Sequence, residues 1–193
     1  MTGRTFTASA WLAMISAIAT LPMTYLAFML EHRGDAVAAI MQGGLQVVGT
    51  VLFVVITLIL KRFLNRLFLF HDTDKSIDLM VTANVVAGLL LLGGIFFPAM
   101  REGASLVGII LVILQGVAQL QFGYKLLTLP NNLGGMLKPF CFLNMASGFC
   151  VSSIVLILPG VVLGAIADLM LATIFFKVAQ EMKEAEPGRT ATR

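Results

Sequence analysis

The chain has 193 residues, of which 59% are hydrophobic and 12% are charged, and its formal net charge is +3. A soluble domain usually has about 25% charged residues, and a chain this short has too much surface for its volume to hide so many apolar side chains from water. The composition therefore excludes an ordinary soluble protein and predicts an all-α integral membrane protein, with the lipid bilayer as its surroundings. Lys and Arg form no continuous basic stripe, so we expect no nucleic-acid partner.

The apolar blocks predict the membrane-spanning helices in chain order. A helix crosses the hydrocarbon layer with about 20 apolar residues, and the first four blocks predict spans near 8–30, 36–60, 79–99 and 104–124. The first block is too long for the apolar core of a secretory signal peptide, so we interpret it as an uncleaved span.

The last apolar block, from Pro139 to Gln180, is long enough for two spans. As one helix it would measure about 63 Å, roughly twice the thickness of the hydrocarbon layer. Pro159-Gly160 lies near its centre and is a turn signal. We therefore expect spans near 139–158 and 161–180, joined by a tight hairpin at Pro159-Gly160, and a bundle of six transmembrane helices in all.

The distribution of Lys and Arg predicts the orientation, because cytoplasmic connections are enriched in these residues. Six spans with both termini in the cytoplasm leave only Arg33 and Arg101 outside. The residues placed inside are Arg4, Lys61, Arg62, Arg66, Lys75, Lys125, Lys138, Lys177, Lys183, Arg189 and Arg193. The short connections fit a bacterial inner membrane, with residues 181–193 as a cytoplasmic tail.

The connection between the second and third spans, residues 61–78, is the longest on the cytoplasmic side. Lys61 and Arg62 fall on one helical face and Phe63 on another, which predicts a short interfacial helix lying along the membrane surface. The alternative is that the second helix continues into water. Asp74 is expected to cap the third helix, with Asp78 near the positive end of its dipole.

The sequence offers no converging catalytic groups. His32 and His71 are predicted on opposite sides of the membrane, so they cannot share a metal or form a dyad. We therefore predict no catalytic residue, metal site or cofactor, and we do not expect an enzyme.

Asp168 is the one ionisable residue predicted near the centre of the bilayer. A charged aspartate there costs about 2.5–3.5 kcal/mol on insertion scales. It either forms a hydrogen bond with another helix, or exchanges a proton in a wet cavity, or lies nearer the outer interface than the predicted boundaries imply.

Amide side chains form a second set of polar residues inside the predicted spans. Pairs spaced four residues apart share one helical face, and an amide facing lipid would be costly, so these faces should point into the bundle. There they either link helices by hydrogen bonds or line a polar path. The candidate polar site consists of Asp168, Gln115, Gln119, Gln42, Gln46, Asn84 and Asn144.

A weak internal repeat relates the amide residues of the two halves. Gln42-Gly43-x-x-Gln46 recurs as Gln115-Gly116-x-x-Gln119, and Asn84-x-x-x-Gly88 recurs as Asn144-x-x-x-Gly148. If the repeat is real, the second and third spans match the fourth and fifth as a parallel hairpin repeat, an arrangement that some transporters use.

Two functions from different classes follow. The first is a subunit or scaffold of a membrane complex, with other membrane subunits or further copies of the chain as partners, which predicts a dry interior. The second is a small transporter or channel for protons or a small polar solute, which predicts a cavity that reaches the middle of the membrane.

Overall fold

The structure, a computed structural model, describes residues 3–33, 35–97, 99, 101–131 and 133–185. The last eight residues of the predicted tail, with Arg189 and Arg193, lie outside them. The described residues form six α-helices and no β-strand, which confirms the all-α class. The helices are α1 (Gly3–Glu31), α2 (Ala36–Leu67), α3 (Asp74–Phe96), α4 (Arg101–Leu126), α5 (Leu137–Ser152) and α6 (Ile157–Ala185).

Five of these helices, α1 to α4 and α6, are long and apolar enough to cross a membrane. Large apolar side chains on their outer surfaces are exposed, among them Ile18, Ile40 and Leu89. A soluble protein of this size could not keep such a surface in water, whereas lipid solvates it readily. The fifth helix, α5, has 16 residues and is shorter than the others.

The helices close into a ring. Each packs against the helices before and after it in the chain, and α1 closes the ring by packing along α6. Neighbours run in opposite directions, so α1, α3 and α5 begin at the end of the bundle where α2, α4 and α6 finish. We call this the basic end. Its described Lys and Arg residues are Arg4, Lys61, Arg62, Arg66, Lys75, Lys125, Lys138, Lys177 and Lys183.

The turn between α5 and α6 lies at residues 153–156, so the hairpin predicted at Pro159-Gly160 is wrong. Pro159 instead occupies the first turn of α6, where the amide hydrogen that proline lacks would have no helical acceptor. Gly160 serves close packing, because a Cβ there would lie 3.0 Å from Cγ2 of Val151 on α5. Ser147 also donates a hydrogen bond to the Gly160 carbonyl at 3.0 Å.

The separate interfacial helix predicted after the second span is not observed, because α2 continues unbroken to Leu67. Phe63 and Leu64 are buried in the bundle and do not lie on its surface. The second helix does continue, as in the alternative, but Phe63 and Leu64 pack inside the bundle and do not lie in water. An amphipathic segment satisfies either arrangement, and the aromatic packing against α1 and α6 decides between them.

Asp74 does not cap α3, contrary to the prediction, because the N-cap residue is Thr73 and its side chain makes no capping hydrogen bond. The Asp74 carboxylate accepts two hydrogen bonds from Nδ2 of Asn65, at 2.9 and 3.1 Å. Lys61 Nζ lies 2.6 Å from Oδ1 of Asp78. These contacts tie the end of α2 to the start of α3, and they are available because α2 extends so far.

The interior of the ring is densely packed at the basic end. Phe6 of α1, Phe63 of α2 and Phe175 of α6 meet there with ring centroids 5.3–6.2 Å apart. Apolar side chains from the ends of α4 and α5, among them Leu126 and Leu137, complete the same buried cluster. This packing fills the interior of the ring at the basic end.

Candidate functional site

A cavity of about 460 Å³ lies inside the ring, and all six helices contribute to its wall. Its volume falls within the range of small-molecule sites, roughly 300–1,000 Å³. All seven polar residues singled out from the sequence line it: Asp168, Gln115, Gln119, Gln42, Gln46, Asn84 and Asn144. The ring therefore brings together one carboxyl group and six amides from five different helices, α2 to α6.

The α2 helix presents one continuous face to the cavity. Residues at helical spacing line the wall along most of its length, running from Gln42 through Gly49 and Phe53 to Leu60. Since 3.6 residues complete a turn, these positions fall on one side of the helix. Gly49 faces open space, because nothing lies within 4 Å of the position that a Cβ would take.

Asp168 projects from α6 into this cavity and meets Ser16 of α1. The Ser16 hydroxyl donates to Oδ2 of Asp168 at 3.4 Å, which is a long hydrogen bond. No hydrogen bond to Oδ1 is formed by the described residues. Asp168 is eleven residues after the first residue of α6, a rise of about 17 Å along the helix. It thus lies near the middle of the bundle.

The amides divide into bonded and free side chains. Gln119 donates to Oδ1 of Asn144 at 3.4 Å, and Nδ2 of Asn144 donates to the Phe140 carbonyl at 2.9 Å. In contrast, Gln42 and Gln115 form no side-chain hydrogen bond within the described part of the chain. A free amide in a membrane interior is costly unless water or a ligand satisfies it.

Asn84 has an unsatisfied acceptor at the same wall. Its Oδ1 is buried and has no hydrogen-bond partner among the described residues. Gln46, on the neighbouring helix α2, donates instead along its own helix, to Oγ1 of Thr50 at 3.3 Å. The α2–α3 side of the cavity is therefore less completely bonded than the α4–α5 side.

A second cavity, of about 470 Å³, lies at the end opposite the basic end. It is lined by residues from the start of α2 and of α4 and from the end of α3, including Asp35 and Ala104. Gln42 and Gln46 belong to the walls of both cavities, and both cavities are partly open. Gln42 and Gln46 thus lie between the second cavity and the cavity around Asp168.

The sequence interpretation overlooked the hydroxyl groups of the cavity. Ser16, Thr20 and Thr24 of α1 line it together with Thr57 and Ser147. Thr20 and Thr24 donate to carbonyls four residues earlier, at 2.7 and 2.8 Å, so the helix itself satisfies them. The signal in the sequence is their spacing of four, which places all three α1 residues on one face.

Within α4 and α5, two glycines from the proposed repeat lie in direct contact. A Cβ at Gly116 would lie 2.6 Å from the Gly148 carbonyl oxygen, and a Cβ at Gly148 would lie 2.6 Å from that of Gly116. Gly88 of α3 is similarly close to α2, since its Cβ would lie 2.8 Å from Oγ1 of Thr50. The backbones of α4 and α5 therefore approach closely at Gly116 and Gly148, while the repeat itself stays a prediction.

Comparisons of the chain with protein-family models, with curated protein sequences and with solved structures find no match.

Proposed function

We propose that the protein is a membrane transporter that moves a small polar solute through the cavity around Asp168. The observation that supports this proposal is the gathering of seven polar side chains around one space of about 460 Å³. The subunit or scaffold role predicts a filled interior, in which amides link helices. Free amides at Gln42 and Gln115 favour a solute or water in that space instead.

In the proposed topology α5 also crosses the membrane, which gives six spans with both termini in the cytoplasm of a bacterium. The concentration of Lys and Arg at one end of the ring supports this orientation. At 16 residues, α5 measures about 24 Å, against a hydrocarbon thickness of about 30 Å. Val155 in the apolar turn that follows it is 89% exposed, and Leu158 in the first turn of α6 is 70% exposed, so both supply further lipid-compatible surface.

The proposed transport cycle has two arrangements of the ring. In the described arrangement, the solute enters from the end opposite the basic end, passes Gln42 and Gln46, and binds beside Asp168. The packed aromatic cluster at the basic end blocks its exit. Release into the cytoplasm requires that cluster to part while the entry side closes, as transporters with a central site do by moving one group of helices against another.

The test is a transport measurement with a matched pair of variants. Purified protein in lipid vesicles is exposed to a bacterial extract of small polar metabolites, and the retained solutes are identified by mass spectrometry. Gly49→Leu fills open space in the cavity, whereas Gly44→Leu makes the same change at an exposed position of α2 that also has nothing within 4 Å.

We expect the wild type and Gly44→Leu to accumulate the same solute and Gly49→Leu to fall to the level of protein-free vesicles. The proposal fails if the wild type retains nothing beyond protein-free vesicles, or if Gly49→Leu transports as well as Gly44→Leu. A reporter fused to the C-terminus tests the topology separately, because an extracytoplasmic signal there contradicts six spans with both termini in the cytoplasm.

A further inference from the structure

The charge of the central cavity is unbalanced. Asp168 is the one ionisable side chain among the described residues of its wall, and none of these residues is Lys, Arg or His. The described Lys and Arg residues of the surrounding helices lie toward helix ends; Lys177, on the same helix as Asp168, is nine positions away, about 13 Å along the axis. A negative charge on Asp168 would therefore have no counter-ion from the protein within the cavity.

Asp168 also retains unused capacity to accept hydrogen bonds. An ionised carboxylate offers about four acceptor positions on its two oxygens. The single hydrogen bond that it receives comes from Ser16, at 3.4 Å, and no other described residue donates to it. Because Asp168 lines the cavity, a solute bound there can use the remaining positions.

The rest of the wall offers two kinds of group that bind a small organic cation. Amide oxygens accept hydrogen bonds from an ammonium group, and aromatic rings attract cations by their quadrupole. Gln115 and Gln42 are free to bind, and Phe53, Phe122 and Phe140 also line the cavity. An anion would add a second negative charge where the dielectric constant is low, and a neutral solute would leave the carboxylate uncompensated.

We infer that the transported solute is a small organic cation whose ammonium group pairs with Asp168. This inference rests on the proposed function, because it names the charge of the solute that the same cavity accepts. A cation neutralises the carboxylate, satisfies its vacant acceptor positions and places its remaining polar groups against the free amides.

The test measures whether the cavity selects small molecules by charge. The labelling variant carries Thr20→Cys, at a cavity position four residues from Ser16, together with Cys141→Ala and Cys150→Ala. Two membrane-impermeant thiol reagents of similar size are then compared: the trimethylammonium-ethyl and the sulfonato-ethyl methanethiosulfonate. Each rate is divided by the rate of the same reagent with free 2-mercaptoethanol. The first reagent is itself a small organic cation.

We expect the thiol introduced by Thr20→Cys to react with the cationic reagent at least about tenfold faster, in normalised rate, than with the sulfonate reagent. The negative charge of Asp168, less than about 10 Å away, predicts a preference of this size at an intermediate dielectric constant. Adding Asp168→Asn to the labelling variant should remove most of this preference, and adding Asp168→Glu should keep it.

Equal normalised rates in the labelling variant that retains Asp168 overturn the inference on solute charge and leave transport standing. The same holds if the preference survives Asp168→Asn, because another group would then set it. If neither reagent reacts from either side of the membrane, the cavity is closed to water, and the proposed function fails together with the inference.

Discussion

Gln119 donates a hydrogen bond from Nε2 to Oδ1 of Asn144, at 3.4 Å, and so joins α4 to α5 at the wall of the cavity. In the repeat inferred from the sequence, the equivalent residues are Gln46 and Asn84 of α2 and α3. There the pair is not bonded: Gln46 donates to Thr50, and Oδ1 of Asn84 is without a partner among the described residues. The two hairpins thus carry the same side chains in different hydrogen-bonding states.

A double-mutant cycle should separate these two pairs. Replacing Gln119 and Asn144 by alanine, singly and together, should give a coupling energy of about 0.6 kcal/mol, the average for interhelical hydrogen bonds in a membrane protein. The same cycle on Gln46 and Asn84 should give a coupling near zero. Unfolding in mixed detergent measures both, and a larger coupling for the second pair would contradict the described arrangement.

Close packing of α4 against α5 predicts a sharp difference between two glycines of one helix. Gly116→Ala places a methyl group 2.6 Å from the backbone of Gly148, whereas at Gly108 nothing lies within 4 Å. Overpacking of this kind costs about 1–3 kcal/mol. Gly108→Ala should instead stabilise the helix by about 0.5–1 kcal/mol, since alanine loses less backbone entropy than glycine.

Thermal unfolding of the two alanine variants in detergent provides the comparison. We expect the melting temperature to fall for Gly116→Ala and to stay level or rise for Gly108→Ala. If both variants melt at the wild-type temperature, the two helices do not approach each other as closely as described.

The aromatic cluster at the basic end should hold the ring together. Phe63 is 1% exposed and contacts Phe6 and Phe175. Phe63→Ala should therefore lower the free energy of unfolding by about 3 kcal/mol, which is the low end for phenylalanine truncation in a core. The low end applies because lipid already solvates apolar groups. Phe142→Ala is the control, since Phe142 is 60% exposed on the outside of α5.

Denaturation in mixed micelles should show a large loss of stability for Phe63→Ala and a change below about 1 kcal/mol for Phe142→Ala, which leaves no buried cavity behind. Phe63→Ala also tests whether the aromatic cluster blocks the exit at the basic end, because vesicles containing this variant should leak the transported solute. Equal losses at the two positions would mean that the interior at the basic end is not packed.

The polar site could be predicted from the sequence because lipid penalises unpaired polar groups. Asp168 and the amide pairs must face the interior wherever their helices lie, so their identity and their inward orientation follow from their position in apolar blocks. Which helices would be neighbours does not follow from a single sequence. The closed ring, and therefore the single cavity that all seven residues share, required the structure.

The turn at residues 153–156 could not be read from the sequence for a different reason. Proline and glycine mark turns, but proline is also accommodated in the first turn of a helix, and glycine also permits close helix contact. Pro159 lies in the first turn of α6, and Gly160 permits close contact with α5. Phe63 poses the same ambiguity, because an aromatic residue that follows Lys61 and Arg62 suits either an interfacial helix or a buried extension of α2.

The proposed transport requires above all a wet cavity inside a bundle whose outer surface faces lipid. Hydroxyl radicals generated by X-rays from water oxidise nearby phenylalanine rings. Phe53 lines the cavity and is partly buried, whereas Phe149 is 59% exposed on the outside of α5. For the protein in lipid nanodiscs, we expect faster oxidation of Phe53 than of Phe149, despite the smaller exposed surface of Phe53. Faster oxidation of Phe149, with Phe53 unmodified, would contradict the proposal.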